Sequence, residues 1–215
     1  MRLICGIDEA GRGPLAGPII AVAVVAPEDY AIDAVDSKRL SAKKREAWVA
    51  DHEGRVEYFV ECIDVPEIDL YGIGWANREI FQRLVRRVEA DYYIVDGNLK
   101  LTDLGDKARR TECRIRADQS TPIVSAASIL AKTIRDEIMR GLHEAYPHYH
   151  WVSNKGYGTK QHISAIKTFG ASPHHRKEYA NTVTKKTYAK PLLLLSAGTP
   201  LFSLLLAGQL FQCLL

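Results

Sequence analysis

Short apolar runs alternate with amphipathic stretches along most of this chain, and this alternation is the feature that most constrains its fold. Apolar or alternating segments rich in Ile, Val and Tyr occupy residues 2–8, 19–26, 55–63 and 92–95. Residues 76–90, between the last two segments, place apolar side chains at helical spacing. Because a strand–helix–strand order requires a crossover, it pairs strands in parallel. The sequence therefore predicts an α/β fold.

Capping residues and periodicity predict four further elements. Ser41 and Thr159 each cap a short helix, and the second of these helices ends at Gly170. Ser120 caps a long helix that has a proline in its first turn. Residues 111–117 form a more polar strand. These elements extend the alternation of strands and helices to about residue 170.

Composition places the chain among soluble globular proteins of ordinary domain size. It has 215 residues, of which 47% are hydrophobic and 26% are charged. We expect one catalytic domain over residues 1–180, followed by an extension over residues 181–215. The net charge of +3 permits a polyanionic partner, and residues 155–190 combine many basic side chains with few acids.

Cysteine usage and the first residues both favour an intracellular protein. Cys5, Cys62, Cys113 and Cys213 are scattered without zinc-ligand spacing, so neither a disulfide framework nor a structural zinc is expected. The chain begins in strand-like sequence without the features of a secretory signal. We therefore expect a cytoplasmic protein.

The C-terminal residues 191–215 contain no charged side chain and are rich in leucine. Their length approaches that of a membrane span and lysines precede them, whereas Pro200, Gln209 and Gln212 argue against insertion. The tail could be a membrane anchor, an additional packed helix or a segment that is not native to the protein. We do not expect membrane association, although the tail leaves it open.

Acidic residues stand where three of the predicted strands end. Asp8 with Glu9, Asp96, and Asp118 each lie where the chain leaves the sheet. Because the carboxyl ends of parallel strands share one edge, these four acids are expected to converge on one pocket. Taken singly, they have plainer interpretations: a hairpin turn for Asp8-Glu9, an Asp-Gly turn at Asp96 and a helix-entry acid at Asp118. Their joint placement favours a functional site.

Four carboxylates around one point favour a particular chemistry. Neighbouring buried carboxylates repel each other and lose hydration unless a cation or a proton lies between them. Two divalent ions about 4 Å apart would satisfy them and would also grip a phosphate. Such an arrangement cuts phosphodiester bonds, since one ion activates the attacking water and the other stabilises the leaving oxygen. We therefore expect a metal-dependent nuclease.

Five ordered motifs resemble the bacterial ribonuclease HII family. They are Gly6-Ile7-Asp8-Glu9-Ala10-Gly11-Arg12-Gly13-Pro14, Asp36-Ser37-Lys38-Arg39-Leu40-Ser41, Val95-Asp96-Gly97-Asn98, Ser125-Ala126-Ala127-Ser128-Ile129-Leu130-Ala131-Lys132 and Lys155-Gly156-Tyr157-Gly158-Thr159. The resemblance runs from about Leu3 to Tyr179 and ends in a Ser-Pro-x-His-Arg stretch at residues 172–176. It implies an α/β, ribonuclease H-like fold with a mixed central sheet flanked by helices, and we expect a C-terminal helical extension after it.

The resemblance also implies an activity. It implies an endonuclease that uses Mg²⁺ or Mn²⁺, with two ions per site, to cleave RNA paired with DNA, including one ribonucleotide embedded in duplex DNA. The products would carry 5′-phosphate and 3′-hydroxyl ends. Catalysis and metal binding carry over to Asp8, Glu9, Asp96 and Asp118. The related HIII enzymes have an added N-terminal domain and a glutamate as the fourth acid, whereas this chain starts at the first strand and has Asp118.

Substrate recognition is expected at the glycine-rich turn and at a tyrosine. Glycines in Gly11-Arg12-Gly13 allow the backbone to approach a ribose and its 2′-hydroxyl, and the arginine can reach a phosphate. Tyr157 lies between glycines that expose its ring for stacking, and the resemblance assigns it the RNA-to-DNA junction. Lys38, Lys155 and Lys160 are candidate phosphate contacts. The alternatives are an ordinary hairpin loop, a core tyrosine and solvated lysines.

Several other residues are weaker candidates. Asp136 is a rival for a catalytic acid, although its place inside a predicted helix favours an outer position or a salt bridge. Ser128 and Arg176 lie in stretches that carry the resemblance. His174 and His175 could assist protonation of the leaving group, but a structural role is favoured for both.

Two other functions remain as alternatives. Another ribonuclease H-like nuclease, of resolvase or integrase type, would cut an all-DNA substrate. A non-catalytic nucleic-acid-binding module would bind in a salt-dependent way without metal-dependent cutting. The partners expected from the resemblance are an RNA/DNA hybrid and ribonucleotide-containing duplex DNA, bound by a monomer.

Overall fold

A mixed five-stranded sheet forms the centre of the protein in the computed structural model, which describes residues 1–34 and 40–184. The strands are β1 (Leu3–Ala10), β2 (Ile19–Pro27), β3 (Glu57–Ile63), β4 (Tyr92–Asp96) and β5 (Thr111–Arg114), in the order β3-β2-β1-β4-β5. β2 pairs antiparallel with β1 and β3, while β4 pairs parallel with β1 and β5. The predicted α/β fold with a mixed sheet is confirmed.

Helices cover both faces of the sheet and continue beyond it. They are α1 (Ala42–Asp51), α2 (Val65–Tyr71), α3 (Ile73–Arg87), α4 (Ala117–Ser120), α5 (Pro122–Ala145), α6 (Trp151–Asn154), α7 (Lys160–Phe169) and α8 (Lys177–Thr184). Short 3-10 helices occupy Gly105–Arg110 and Pro147–Tyr149. The predicted caps of α1 and α7 are confirmed, because Ser41 Oγ accepts from Lys44 N and Thr159 Oγ1 accepts from His162 N.

The continuous apolar sequence of β2 reflects burial on both of its faces. Its odd-numbered residues lie in the core that contains Ile80 and Phe81 of α3, and its even-numbered residues lie in the core that contains Val124 and Ala127 of α5. Because successive side chains of a strand point to opposite faces, an apolar residue is needed at every position. A third cluster, around Trp151, packs α6 and α7 against the end of α5.

Helix α5 lies directly on β1, and this contact positions the site. A Cβ at Gly6 would come within 2.7 Å of Ile123, so only glycine permits this approach. Small residues continue along the same face of α5, where Ser125, Ala127 and Ser128 are buried. The N-terminal half of α5 is therefore held close to the sheet.

Several details of the helices and strands differ from the sequence-based expectation. Helix α2 was not predicted, although Asp64 caps it by accepting from Val65 N. Strand β5 stops at Arg114, because Arg116 adopts a left-handed conformation with φ of 58° and turns the chain into α4. Ser120 does not cap α5, since it ends α4 and its hydroxyl donates to Arg116 O within that helix.

Two predictions concern residues that the structure does not describe or that it describes only in part. The leucine-rich tail at 191–215 lies outside the described residues, and the division at residue 180 stays a prediction, with α8 running across it. None of the helices in the described part of the chain combines the length and the apolar character that crossing a membrane requires.

Candidate active site

Two of the predicted acids project from β1, which does not end at Asp8 as the sequence suggested. β1 continues to Ala10 because its antiparallel partner β2 extends the ladder, pairing Asp8 with Val22 and the next residue with Ala21. On the other side, parallel pairing with β4 stops one residue before Asp8. Asp8 is 4% exposed, and the Glu9 side chain is 14% exposed. Both acids therefore lie at the carboxyl edge of the parallel part of the sheet.

The other two acids approach from the neighbouring strand and from a helix. Asp96 is the last residue of β4, as predicted. Asp118 does not end β5 but lies in the short helix α4, where it is buried. Its backbone N–H donates to Asp96 Oδ1 at 3.4 Å, so the turn that shortens β5 brings this acid beside the end of β4.

The acids on β1 carry an electrostatic cost. Burial and, to a smaller extent, the charge of Asp96 raise the pKa of Asp8 to about 6, against the opposing effect of a hydrogen bond with Ser128. Burial, together with the charges of Asp8 and Asp96, raises the pKa of Glu9 to about 8. Three acids from two strands therefore repel one another at close range.

The donor chemistry of these acids fits a hard divalent cation. Carboxylate oxygens are the ligands that Mg²⁺ and Mn²⁺ prefer, and a cation would remove the repulsion that raises the pKa values of Asp8 and Glu9. Over residues 1–34 and 40–184, no group of three or more His, Cys, Asp or Glu side chains stands in metal-ligand geometry. The fit therefore rests on the donor set and on its electrostatics.

Ser128 links helix α5 to the acids. It hydrogen-bonds the Asp8 side chain, and its Oγ accepts from Lys132 Nζ at 2.7 Å. The positive charge of Lys132 also lowers the pKa of Asp8. One face of α5 thus supplies a hydroxyl and a cation to the first acid.

The glycine-rich turn follows β1 directly and meets Tyr157. Arg12 is exposed, and its Nη1 lies 3.8 Å from Glu9 Oε1. A Cβ at Gly13 would lie 3.7 Å from the Tyr157 ring, so the turn and the ring are neighbours. The Tyr157 side chain is accessible, with 49% of the residue exposed. An accessible aromatic ring thus stands beside an accessible turn and close to an acid of the site.

A cleft of about 480 Å³ joins these features. Its basic residues are Arg12, Arg45, Lys132, Arg135 and Lys155. Other lining residues are Glu9, Ala10, Gly11, Gly13, Ala42, Asp136 and Tyr157. A cleft with basic walls that includes Glu9, one of the four acids, in its lining suits a phosphate backbone that passes beside these acids.

The remaining predicted residues take different places. Lys155 lines the cleft, whereas Lys160 is exposed at the start of α7. Asp136 forms an ion pair with Arg45 at 2.9 Å, the arrangement that its place in a helix favoured. Arg176 is fully buried and donates to backbone carbonyls of the glycine-rich turn. Lys38 lies outside the described residues.

Sequence reasoning missed three residues that line this cleft. Arg45 belongs to the basic Lys43-Lys44-Arg45 stretch, whose only signal in the sequence is its charge. Lys132 ends one of the motifs of the resemblance but received no role. Arg135 is a buried arginine within an amphipathic helix, and no local pattern marks such a residue.

The mixed sheet, with acids at the ends of adjacent parallel strands and a helix packed over them, defines a nuclease of the ribonuclease H-like class. A family model described as Ribonuclease HII matches residues 5–182. The chain therefore belongs to the ribonuclease HII family, whose members are hydrolases that cut RNA in RNA/DNA hybrids. The resemblance found in the motifs is confirmed, and with it the expectation of an endonuclease.

Individual relatives agree with this assignment. The ribonuclease HII of Orientia tsutsugamushi strain Boryong is 43% identical over 181 residues, which cover 83% of this chain and 86% of the relative. The structure of ribonuclease H2 from Pyrococcus horikoshii OT3 superposes with a TM-score of 0.71 at 25% identity, covering 86% of this chain and 98% of that one. Bst-RNase HIII in complex with Mn²⁺ shares the fold, with a TM-score of 0.63 at 21% identity and coverage of 86% and 71%.

Proposed function

We propose that this protein hydrolyses the phosphodiester bond on the 5′ side of a ribonucleotide, both in RNA/DNA hybrids and at a single ribonucleotide within duplex DNA. The acids Asp8, Glu9, Asp96 and Asp118 would hold two divalent ions, Mg²⁺ or Mn²⁺. The products would carry 5′-phosphate and 3′-hydroxyl ends. The Mn²⁺ complex of Bst-RNase HIII, which has the same fold, supports a divalent ion in this chain.

The observation that carries this proposal is the position of the acids next to the glycine-rich turn. Glu9 is raised in pKa by burial and by its acidic neighbours, and Arg12 lies 3.8 Å from it. A carboxyl group that a cation would stabilise is thus separated by one position from a turn whose glycine lets a backbone approach a sugar closely. The acids proposed for cleavage and the turn proposed to contact the ribose therefore lie in one short segment of the chain.

The side chains of the site have distinct tasks in this reaction. When bound, the ions supply an activated water and stabilise the oxygen that leaves from the sugar. Asp8 and Glu9, on the rigid β1, would hold them from one side, and Asp96 with Asp118 from the other. Ser128 fixes the orientation of the Asp8 carboxylate by its hydrogen bond.

Recognition would use the turn and the ring together. Gly13 has no side chain to separate its backbone from a ribose, and Arg12 extends from the surface where it can reach a phosphate. Tyr157, beside Gly13, can stack on the sugar or base next to the scissile bond. Lys155 adds a positive charge in the same cleft.

Cleavage of a duplex that contains one ribonucleotide tests this proposal against the same duplex made entirely of DNA. With Mg²⁺ or Mn²⁺ we expect a single nick on the 5′ side of the ribonucleotide, no cut in the all-DNA duplex, and no activity when a chelator is present. Equal cleavage of both duplexes would reject the proposed specificity. Cleavage that continues in the presence of the chelator would reject the proposed metal site.

A further inference from the structure

Two buried arginines hold the glycine-rich turn from inside the protein. Arg135, on α5, is 3% exposed, and Arg176, just before α8, is 0% exposed. In the described part of the chain, every hydrogen bond of their guanidinium groups is accepted by a backbone carbonyl. Burial lowers the pKa of each arginine to about 10, so both remain charged at neutral pH. Two buried positive charges are thus satisfied by main-chain dipoles.

Arg176 shapes the turn itself. Its Nη1 donates to Arg12 O at 2.9 Å, and its Nη2 donates to Gly11 O at 2.6 Å and to Gly17 O at 2.7 Å. Nε also donates to Gly17 O at 3.0 Å. The planar guanidinium, whose five donors have a fixed geometry, therefore forms hydrogen bonds with carbonyls at both ends of the turn.

Arg135 joins the turn to the segment that carries Tyr157. Its Nε donates to Pro18 O at 3.0 Å and its Nη2 to Ala16 O at 3.1 Å, while its Nη1 donates to Lys155 O at 3.0 Å. Its Cζ lies 6.0 Å from the centroid of the Tyr157 ring. One side chain thus bridges the two elements that the proposed function assigns to recognition.

The glycines near these arginines are packed so closely against their neighbours that no side chain would fit at their positions. A Cβ at Gly11 would lie 2.3 Å from Arg135 Nε, and a Cβ at Gly156 would lie 2.4 Å from Ala16 O. Leu15 N also donates to Gly156 O at 2.8 Å. The turn and the Tyr157 segment are therefore packed backbone against backbone, and their separation depends on the guanidinium between them.

We infer that Arg135 and Arg176 are positioning residues for recognition of the ribonucleotide: their buried guanidinium groups, bonded to backbone carbonyls, fix the distance between the glycine-rich turn and the Tyr157 ring. This inference rests on the proposed function. A shift of about 1 Å between groups that must grip one nucleotide can reduce turnover about 100-fold. Binding of the duplex through phosphates depends much less on that distance, because phosphate contacts position the duplex without distinguishing one nucleotide from another.

The test is Arg135→Lys, which keeps the charge but cannot reproduce the fork of three hydrogen bonds. We expect kcat/KM for the one-ribonucleotide duplex to fall about 10- to 100-fold. The affinity for the all-DNA duplex should change by less than about two-fold, since it reflects phosphate contacts. Arg140→Lys, on the same helix at an exposed ion pair with Glu46, is the matched control and should leave both quantities unchanged.

The outcomes separate this inference from the proposed function. If Arg135→Lys lowers both quantities equally, or neither, the positioning role is rejected. If the unmodified protein does not favour the ribonucleotide, the proposed function fails instead. Circular dichroism checks folding, and if Arg135→Lys does not fold, Arg176→Lys makes the same test on the other side of the turn. Failure of both variants to fold would reject a role in specificity and leave a structural one.

Discussion

Two neighbouring regions of the site contain buried ionisable groups: the acid edge, which carries Asp8 and Glu9, and the proposed recognition side, which is the glycine-rich turn with the Tyr157 segment. They stabilise these groups in opposite ways. Asp8 and Glu9 are buried near other acids, and their pKa values are raised to about 6 and about 8. Arg135 and Arg176 are also buried, yet backbone carbonyls surround their guanidinium groups. A cation from outside would therefore stabilise the acids, whereas the charges of the two arginines are already satisfied within the protein.

This difference explains why the two functions can adjoin in the sequence. β1 ends at Ala10, and the turn begins at the next residue. The strand gives the acids a rigid base in the sheet, and the two arginines give the turn an equally rigid base among the helices. The residues proposed for cleavage and those proposed for recognition are therefore held by different parts of the fold, and substitutions should affect the two functions separately.

The largest effect should follow from removing one acid from the acid edge. Asp8→Asn is expected to lower cleavage of a one-ribonucleotide duplex by well over about 100-fold, because replacing even an outer partner of a metal ligand costs about 10- to 100-fold. Single-turnover assays with Mg²⁺ measure this loss. Asp136→Asn is the matched control: that acid lines the same cleft but is paired with Arg45, and its loss should change cleavage only a few-fold. Near-normal turnover of Asp8→Asn would contradict the proposed metal site.

A divalent cation should stabilise the protein through the acid edge. At a free ion concentration about 100 times its Kd, we expect the free energy of unfolding to rise by about 2.7 kcal/mol, because the ion binds only the folded acids. Urea unfolding with Mg²⁺ and with a chelator measures the difference. Glu9→Gln should reduce the gain, and an equal gain in that variant would show that the ion binds elsewhere.

The same acids predict how stability depends on pH without the cation. The pKa of Glu9 is raised in the folded state from 4.5 to about 8, so the folded protein binds this proton more tightly than the unfolded chain does. Its contribution is fully present below pH 4.5 and is lost as pH rises through about 8. With a chelator, the free energy of unfolding should therefore fall across this window, and Glu9→Gln should flatten the fall. A fall of the same size in Glu9→Gln would contradict the assignment.

On the recognition side, the ring of Tyr157 should contribute a moderate effect. Tyr157→Ala is expected to weaken binding of the one-ribonucleotide duplex by about 1–3 kcal/mol, the range for loss of one stacking contact, while Tyr157→Phe keeps the ring and most of the affinity. Fluorescence anisotropy measures both variants. Equal losses in the two would mean that the hydroxyl, rather than the face of the ring, makes the contact.

The smallest effect should come from Lys160, an exposed lysine that we expect to contact a phosphate and not the ribose. Lys160→Ala should weaken binding of ribonucleotide-containing and all-DNA duplexes alike and reduce the salt dependence by about one counterion. Titrations at several salt concentrations measure the slope. Arg109→Ala is a suitable control, because Arg109 precedes the amino end of β5, away from the acid edge. An effect of Lys160→Ala on only one of the duplexes would assign it a role in specificity.

The sequence predicted those parts of the fold that depend on local patterns. The two-sided apolar run of β2 and the caps Ser41 and Thr159 are readable because each follows from neighbouring residues. The acids on β1 and β4 were found because strand ends concentrate at one edge of a parallel sheet. Helix α2 carried a signal in Asp64, whose cap was overlooked in a segment of only 7 helical residues.

The parts that escaped prediction depend on contacts between distant segments. Asp118 was expected among these acids at the end of β5, but it lies in α4 and comes beside Asp96 through the left-handed turn at Arg116; arginine is not a residue type that marks such a turn. Arg135 is buried although charged side chains rarely are, and two of its three acceptors, at Ala16 and Pro18, lie more than 100 residues earlier in the chain. Only the folded chain shows what satisfies it.

Binding by Asp8→Asn tests most directly whether cleavage and substrate recognition depend on different residues. The quantity to measure is its preference for the one-ribonucleotide duplex over the all-DNA duplex. The ratio of its Kd values for the all-DNA and one-ribonucleotide duplexes should equal that of the unmodified protein, with both measured in the presence of a chelator to prevent cleavage. We expect this ratio to be preserved while cleavage is lost. A ratio that collapses to one would contradict the account, because it would show that the acid edge also chooses the substrate.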